Sequence, residues 1–582
     1  MKFNILYKVV PVAVISLIGL STQYRSPTIT AAKTKQEKLQ SMKVESPIAN
    51  LKANEAKKVL TASNVDVPEA IGTSQIASSK EVSREVASIT EASAPAFKLE
   101  LPSSKNNFSD EGSFHNKING LAAVKALGNN IGVVAKLNNI TAEELKKLLI
   151  MDHTAYVTSA GKVVFLEDIM PDLKPVATTY YAEADTNENA LANGLETGII
   201  LTTGTIDVSA ATSAYDSFSL HSRPTAKKRI YLDFKGHTFI GSRYNVCKSS
   251  NGATVCYDKI VAPAFSTDTS ATTFSVTELN YIKTIWAKVA AAYAAFDVDV
   301  TTQEPTAAQM QKTSTTDTEY GVHVLITKSN AAFCGTMCGG VAYLLMEANF
   351  NNTYADKSNV AAFVFTDMLG NGNPKYTADA ITHEVGHTFG LMHDGLVATS
   401  STAAASYYQG HGSGDTGWAP IMGVGYYKNL VQWSKGEYPN ANNKVDEIAK
   451  IATSVPLIAD DAGNNGSVAT AKDLPTLKTI SGLFTAGTDI DVYKFTQKTS
   501  ATVTIKATPD AFAPRLDIKM TLVNASGGIV ATINPTANLY ASLTMTLPAG
   551  TYYLKLESVS YGTLATGYSN YGGIGGYTVT MQ

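Results

Sequence analysis

Three histidines and a glutamate crowd into residues 383–394, which read His383-Glu384-Val385-Gly386-His387-Thr388-Phe389-Gly390-Leu391-Met392-His393-Asp394. His383 and His387 are four apart, so a helix presents both from one face with Cβ atoms about 5–6 Å apart, near enough to share one ion. Two imidazoles leave a catalytic zinc incomplete. Such an ion usually takes three protein ligands and keeps a fourth position for water, and His393 is the candidate third ligand. Gly390 explains how it arrives: the helix must stop and turn back, and glycine reaches the left-handed conformation that such a stop requires. Glu384 sits beside the first ligand and off the metal-facing row, where its carboxylate can act as general base on a metal-bound water. With nine histidines in 582 residues, a chance match to His-Glu-x-x-His-x-x-Gly-x-x-His is on the order of one in 10⁵. That weighs against three unrelated histidines in a buried helix.

Downstream the chain reads Trp418-Ala419-Pro420-Ile421-Met422-Gly423-Val424-Gly425-Tyr426-Tyr427. With this stretch added, the motif resembles that of the metzincin zinc metalloendopeptidases, and residues 228–455 look most like bacterial secreted reprolysin-like enzymes. The resemblance implies a hydrolase that cuts peptide bonds in polypeptide substrates. It implies one catalytic Zn²⁺ held by His383, His387 and His393, with Glu384 taking the proton of the attacking water and passing it to the leaving amine. Met422 would form the floor under the three imidazoles, and Asp394 would orient the turn beneath the metal. Some metzincins carry a tyrosine ligand two residues after the methionine. Here that position is Val424, with Tyr426 and Tyr427 the nearest tyrosines.

The elements that must hold this site are legible in outline. Arg229–Phe234 reads as a first strand, and Ser275-Val276-Thr277-Glu278 is a capping box opening a helix with Leu279, Ile282, Trp286, Val289, Tyr293 and Phe296 along its core face. Strands follow at 298–302, 322–327, 340–345 and 361–366, then the zinc helix over about 375–389. This order predicts a mixed α/β sheet. By the same resemblance, residues 339–346 form an edge strand against which an extended substrate would gain main-chain hydrogen bonds. His237, His323 and His411 lack ligand spacing and read as structural or surface residues.

Residues 1–21 have a lysine-flanked apolar core too short to span a bilayer comfortably, which predicts a signal peptide and export; a single membrane anchor is the alternative. Residues 22–97 are rich in Ala, Ser, Thr, Lys and Glu and read as a flexible leader. Residues 98–226 read as a small α/β propeptide and a connecting segment. Val133–Leu137 suggests a strand, Thr141-Ala142-Glu143-Glu144 opens a capped helix bearing Leu145, Leu148 and Leu149, and 155–157 with 162–166 suggest a hairpin around Gly161. Such a segment would assist folding or block the site. No cysteine precedes Cys247, so a thiol cannot be the inhibitory ligand. An aspartate or a steric plug remains, with Asp152 beside His153 as candidate, although an ordinary turn aspartate is the simpler expectation. Lys227-Lys228-Arg229 is either a processing site or the charged lead into a strand.

The four cysteines, Cys247, Cys256, Cys334 and Cys338, are even in number and clustered. In an exported protein they predict the disulfides Cys247–Cys256 and Cys334–Cys338 rather than a second zinc site. After about residue 455, short alternating runs punctuated by turns predict an all-β sandwich. This part, 456–582, resembles the pre-peptidase carboxy-terminal domains of secreted bacterial proteases through Asp460-Asp461-Ala462-Gly463-Asn464 and Asp489-Ile490-Asp491-Val492-Tyr493. Aspartates there are candidate Ca²⁺ ligands. The expected fold is thus an α/β (α+β) metzincin-like catalytic domain over 227–455 with a mixed sheet and zinc-binding helix, between an α/β propeptide and a β-sandwich.

Forty-seven basic against 50 acidic residues give a net charge of −3, which offers no electrostatic case for nucleic acid or anionic membrane as partner. We expect a secreted monomeric zymogen. Two other classes stay open at this stage: a catalytically inert surface-binding protein, and a zinc amidase acting on cell-wall material.

Overall fold

The computed structural model describes residues 119–158, 161–168 and 217–582, apart from short stretches at 241, 243–246, 251–252, 257–258, 269, 271–272, 315, 330–332, 334–337, 346–359 and 463–465. The expected signal peptide, leader, first part of the propeptide and most of the connecting segment lie outside the described residues. Among those described, no helix is long and apolar enough to cross a membrane.

The amino-terminal part holds helices α1 (Gly120–Leu127), α2 (Ile131–Leu137) and α3 (Ala142–Met151), then strands β1 (Ala155–Val157) and β2 (Val163–Leu166). The capping box of α3 forms as expected, with Thr141 accepting from the Glu144 amide and the Glu144 carboxylate accepting from the Thr141 amide. Gly161 turns the β1–β2 hairpin at φ +76°. The expected strand at 133–137 is instead α2. Its buried residues Val134 and Ala135 pack with Leu127, Leu145 and Leu149, while Val133 and Leu137 stay 44% and 39% exposed. Packing against α3 overrides the strand preference of the two valines.

The second difference is larger. Strands β1 and β2 do not form a separate unit. They extend the catalytic sheet, whose other strands are β3 (Lys228–Asp233), β4 (Asp299–Thr301), β5 (Tyr320–Thr327), β6 (Gly340–Tyr343) and β7 (Ala362–Phe365), in the spatial order β1-β2-β6-β7-β5-β3-β4. Strands β7, β5, β3 and β4 are mutually parallel, and β6 is antiparallel to both β7 and β2. The expected edge strand is therefore β6, but its outer edge is covered by β2. Lys228 and Arg229 open β3, so the basic run is the lead into a strand, and the chain just before it is already paired: Ser222 donates its amide to Val300.

Helix α4 (Val276–Ala292) begins at the Ser275–Glu278 capping box and packs against α5 (Pro374–Thr388), the helix carrying His383 and His387. Tyr293 closes α4 as its C-cap and donates its hydroxyl to the Thr382 carbonyl at 3.1 Å, while Phe296 follows in the turn beyond; both rings are buried in the core. Cys247 and Cys256 stand opposite each other in register across a short antiparallel pair. Cys338 is buried, and Cys334 lies outside the described residues.

Between Lys472 and Met581 a five-stranded and a four-stranded sheet enclose one apolar core, in which Phe484, Ile505, Leu522, Leu554 and Tyr577 are fully covered. Alternation of buried and open residues along these strands, as in 501–509, is what two packed antiparallel sheets require.

Candidate metal centre

Helix α5 starts where Asn373 caps the amides of Lys375 and Tyr376 and Pro374 occupies the first turn. It ends in a Schellman motif: the Gly390 amide donates to His387 and the Leu391 amide to Gly386, with Gly390 at φ +91°. A Cβ on Gly390 would also lie 2.6 Å from the Leu345 side chain. This stop brings His393 back against His383 and His387, and all three rings are buried, at 3%, 7% and 0% exposure.

Their tautomers are fixed by what surrounds them. The His383 Nδ1 donates to the Ile421 carbonyl at 2.9 Å and the His387 Nδ1 to the Leu391 carbonyl at 2.8 Å. The His393 Nδ1 donates to the Asp152 carboxylate at 2.6 Å. Each ring therefore turns an Nε2 lone pair inward, as metal-ligating histidines do. His387 and His393 bring their Nε2 atoms to 3.0 Å of each other, and the His383 Nε2 is buried without a hydrogen-bond partner. Burial pushes the His383 imidazole down to about 3 and lowers that of His387, which keeps both in the neutral, ligating form. Converging lone pairs in a dry site fit a cation, and three imidazoles with a neighbouring carboxylate suit zinc.

That carboxylate is Glu167, immediately after β2 and 8% exposed. Its Oε1 lies 3.1 Å from the His393 Nε2 and 3.4 Å from the His387 Nε2, and its Oε2 lies 3.6 Å from the His383 Nε2. Glu167 and the three histidines form one potential metal-binding group. Tyr407 donates its hydroxyl to the Glu167 Oε2 at 2.6 Å, and its ring stands 4.6 Å from that of His393.

Asp152 is not the ordinary turn residue expected from its sequence. It is 6% exposed, accepts from the Thr154 amide and hydroxyl, and orients His393 from behind. Burial raises its carboxyl, and its His393 and Thr154 partners together more than reverse that.

Glu384 is 1% exposed; its Oε2 has no hydrogen-bond partner, and a Cβ on Gly340 would fall 1.9 Å from its Oε1. Burial first, and then the Glu167 charge, push its carboxyl well above the usual range. It borders a cleft lined also by Glu167, Gly339, Gly340, His383 and Tyr407. A second cleft, which also reaches His383, is lined by Thr382, Ile421, Gly423, Tyr426 and, from the β domain, Arg515.

Met422 is fully buried, and its Sδ lies where a Cβ on Gly386 would fall, at 2.5 Å. The thioether thus abuts α5 between the two helical histidines. Asp394 donates its amide to the Met422 carbonyl at 2.8 Å and accepts the Tyr408 amide on its own carbonyl, which ties the third-histidine turn to the methionine loop. Burial raises its carboxyl to about 7. Val424 and Tyr426 line a cleft together with His383, and Tyr407, which sequence spacing did not single out, sets its ring against those of His383 and His393. His323 faces Asp233 at 3.2 Å, His411 is held by the Tyr408 hydroxyl and the Gly567 carbonyl, and His237 packs edge-on against Phe239.

In the β domain, Asp460, Asp489 and Asp491 place carboxylate oxygens within 4.8 Å of one another. Asp489 and Asp491 are 2% and 0% exposed, and each has an Oδ1 with no hydrogen-bond partner.

No curated protein matches the chain. Among solved structures, the pre-peptidase C-terminal domain of a collagenase from Bacillus anthracis matches at 18% identity and TM-score 0.16, over 22% of this chain and 98% of that one. PliG of Aeromonas hydrophila, a periplasmic inhibitor of g-type lysozyme, matches at 14% identity and TM-score 0.15, over 21% and 100%. A family 35 carbohydrate-binding module from Cellvibrio japonicus Abf62 matches at 16% and 0.12, over 21% and 84%. Likenesses this slight carry no functional weight. Residues 261–394, from the strand before α4 to the aspartate after the third histidine, match the family described as Metallo-peptidase family M12B Reprolysin-like.

Proposed function

We propose that this chain is a secreted zinc-dependent metalloendopeptidase, made as a zymogen and exported by the signal peptide at 1–21. The observation that carries the reading is the convergence of three Nε2 lone pairs, each locked by a satisfied Nδ1, beside a buried glutamate with a free oxygen. His383, His387 and His393 hold the ion. When bound, zinc would polarise the scissile carbonyl and bring the pKa of a bound water down towards neutrality. Glu384 takes the proton of that water on Oε2 and returns it to the leaving nitrogen, while the bare Cα of Gly340 supports Oε1. The β6 edge, once β2 leaves it, offers the main-chain pairing an extended polypeptide needs. That favours protein over a cell-wall amide. An intact Glu384 weighs against an inert surface-binding role.

Casein hydrolysis with and without a zinc chelator, run beside purified peptidoglycan, tests this. Chelator-sensitive cleavage of casein alone is expected. Cleavage of peptidoglycan alone, or zinc-replete processed protein without any activity, overturns it.

Because residues 220–222 already pair along the strand at 300–302, processing is expected before them, and mass spectrometry of the mature amino terminus should find a start no later than Leu220. The register of Cys247 with Cys256, together with the absence of a free cysteine among the described residues, supports the two local disulfides. The buried, unpartnered oxygens of Asp489 and Asp491 support a Ca²⁺ site with Asp460. Calcium at about a hundredfold above its Kd should then raise the β-domain melting temperature by roughly 5 °C or more, measured by scanning calorimetry. Asp489→Asn should abolish the rise; an equal rise in that variant would rule the site out.

A further inference from the structure

We propose that Glu167 is the fourth protein ligand of the metal in the uncleaved chain, and that β2 holds it there by occupying the strand position an extended substrate would take. The inference rests on the zinc-site reading above.

The distances fit coordination. With Zn–N and Zn–O bonds near 2.0–2.1 Å, the edge of a coordination tetrahedron is about 3.3 Å. The Glu167 Oε1 lies 3.1 and 3.4 Å from the Nε2 atoms of His393 and His387, on either side of that edge, and its Oε2 lies 3.6 Å from the His383 Nε2. The chemistry fits as well. The lone-pair faces of His383 and His387 meet an anionic oxygen, a repulsive arrangement unless a cation lies between them.

Main-chain bonds aim the carboxylate. The Glu167 amide donates to the Gly340 carbonyl and its carbonyl accepts from the Gly339 amide, both at 3.0 Å. The Leu344 amide donates to the Val163 carbonyl, and Val341, Ala342 and Tyr343 stand opposite Leu166, Phe165 and Val164. This pairing uses the β6 edge that passes Glu384 at Gly340, so a substrate cannot add there while β2 remains. Phe165 stacks on His387 with ring centres 3.9 Å apart, and Tyr407 clamps the Glu167 Oε2. Asp152, from the same amino-terminal segment, holds His393 from its other nitrogen. The segment thus closes the open coordination position with an acid, in a chain that has no cysteine before Cys247.

The test uses the full-length chain with Glu384→Gln, so that it cannot cut itself, with intact mass confirming that it is uncleaved. Loaded with Co²⁺, this protein and its Glu167→Gln and Glu167→Asp variants are compared by visible absorption and by the rate at which a chelator strips the metal. We expect the Gln variant to change the cobalt ligand-field bands and to lose metal at least tenfold faster, with the shorter Asp giving an intermediate result. Superimposable spectra and equal stripping rates would overturn the assignment; if Gln fails to fold, the Asp variant decides by the same criteria. A His383→Ala control shows that the bands report this site. Failure of the parent to bind one Co²⁺ would sink the zinc-site reading itself. A second arm keeps Glu384: uncleaved chain should hydrolyse a short quenched peptide at least a hundredfold more slowly than processed chain, and equal rates would show that β2 does not block the groove.

Discussion

In the processed enzyme, Glu384→Gln is expected to lower kcat by about 10²–10⁴-fold, the range that a positioned acid–base group contributes, with zinc still stoichiometric and the fold unchanged. Glutamine has the same shape, so it keeps the contact with Gly340 and disturbs no packing. It cannot accept the water proton. Because the carboxyl is buried and its Oε2 has no partner to lose, nothing in the folded protein depends on its charge. The loss should therefore fall on kcat, with KM little changed, as expected for an interaction made only in the transition state. Steady-state kinetics with a quenched peptide, plus metal analysis by mass spectrometry, decide the matter. Undiminished kcat in zinc-replete protein would remove Glu384 from the role of base.

How much of this was readable beforehand depends on how local the determinant is. The zinc helix, its glycine stop and the α3 and α4 capping boxes are written in consecutive residues, and they form within a residue or two of where spacing places them. The β domain likewise declares itself by alternation along each strand. What sequence could not supply is which sheet edge the β1–β2 hairpin joins, because pairing between segments as far apart as Leu166 and Val341 leaves no local trace. Glu167 was missed for that reason, since only the β2–β6 register brings it to the histidines; Tyr407 was missed because nothing near it in sequence shows that its loop folds back on the turn after His393. Asp152 was seen but misjudged, since the partner that turns a turn aspartate into a ligand support, His393, lies 241 residues away. The strand expected at 133–137 failed in the opposite sense, through trusting a local preference that tertiary packing overrode.

Gly340→Ala should be the most damaging single methyl outside the ligand set, lowering kcat/KM by about 10²-fold through displacement of the base by an ångström or so. In the edge strand Gly340 has no unusual backbone angle to explain a glycine. The reason is the neighbour: an added Cβ would lie 1.9 Å from the Glu384 Oε1 and 2.7 Å from its Cδ, so either the carboxylate or the strand must move. Both movements harm the same step. A shifted carboxylate no longer meets the water, and a shifted strand no longer pairs in line with a substrate that uses the Gly340 carbonyl, as Glu167 does in the uncleaved chain. The histidines sit on α5 and the turn after it, and the Nδ1 partners that stay after processing, the Ile421 and Leu391 carbonyls, do not touch Gly340. Zinc content should therefore stay at one per chain. Kinetics of processed enzyme, with metal content and thermal melting in parallel, distinguish this from simple misfolding: near-normal melting and full zinc with a large loss of kcat/KM are expected, whereas full activity would mean that the base does not rest on this strand.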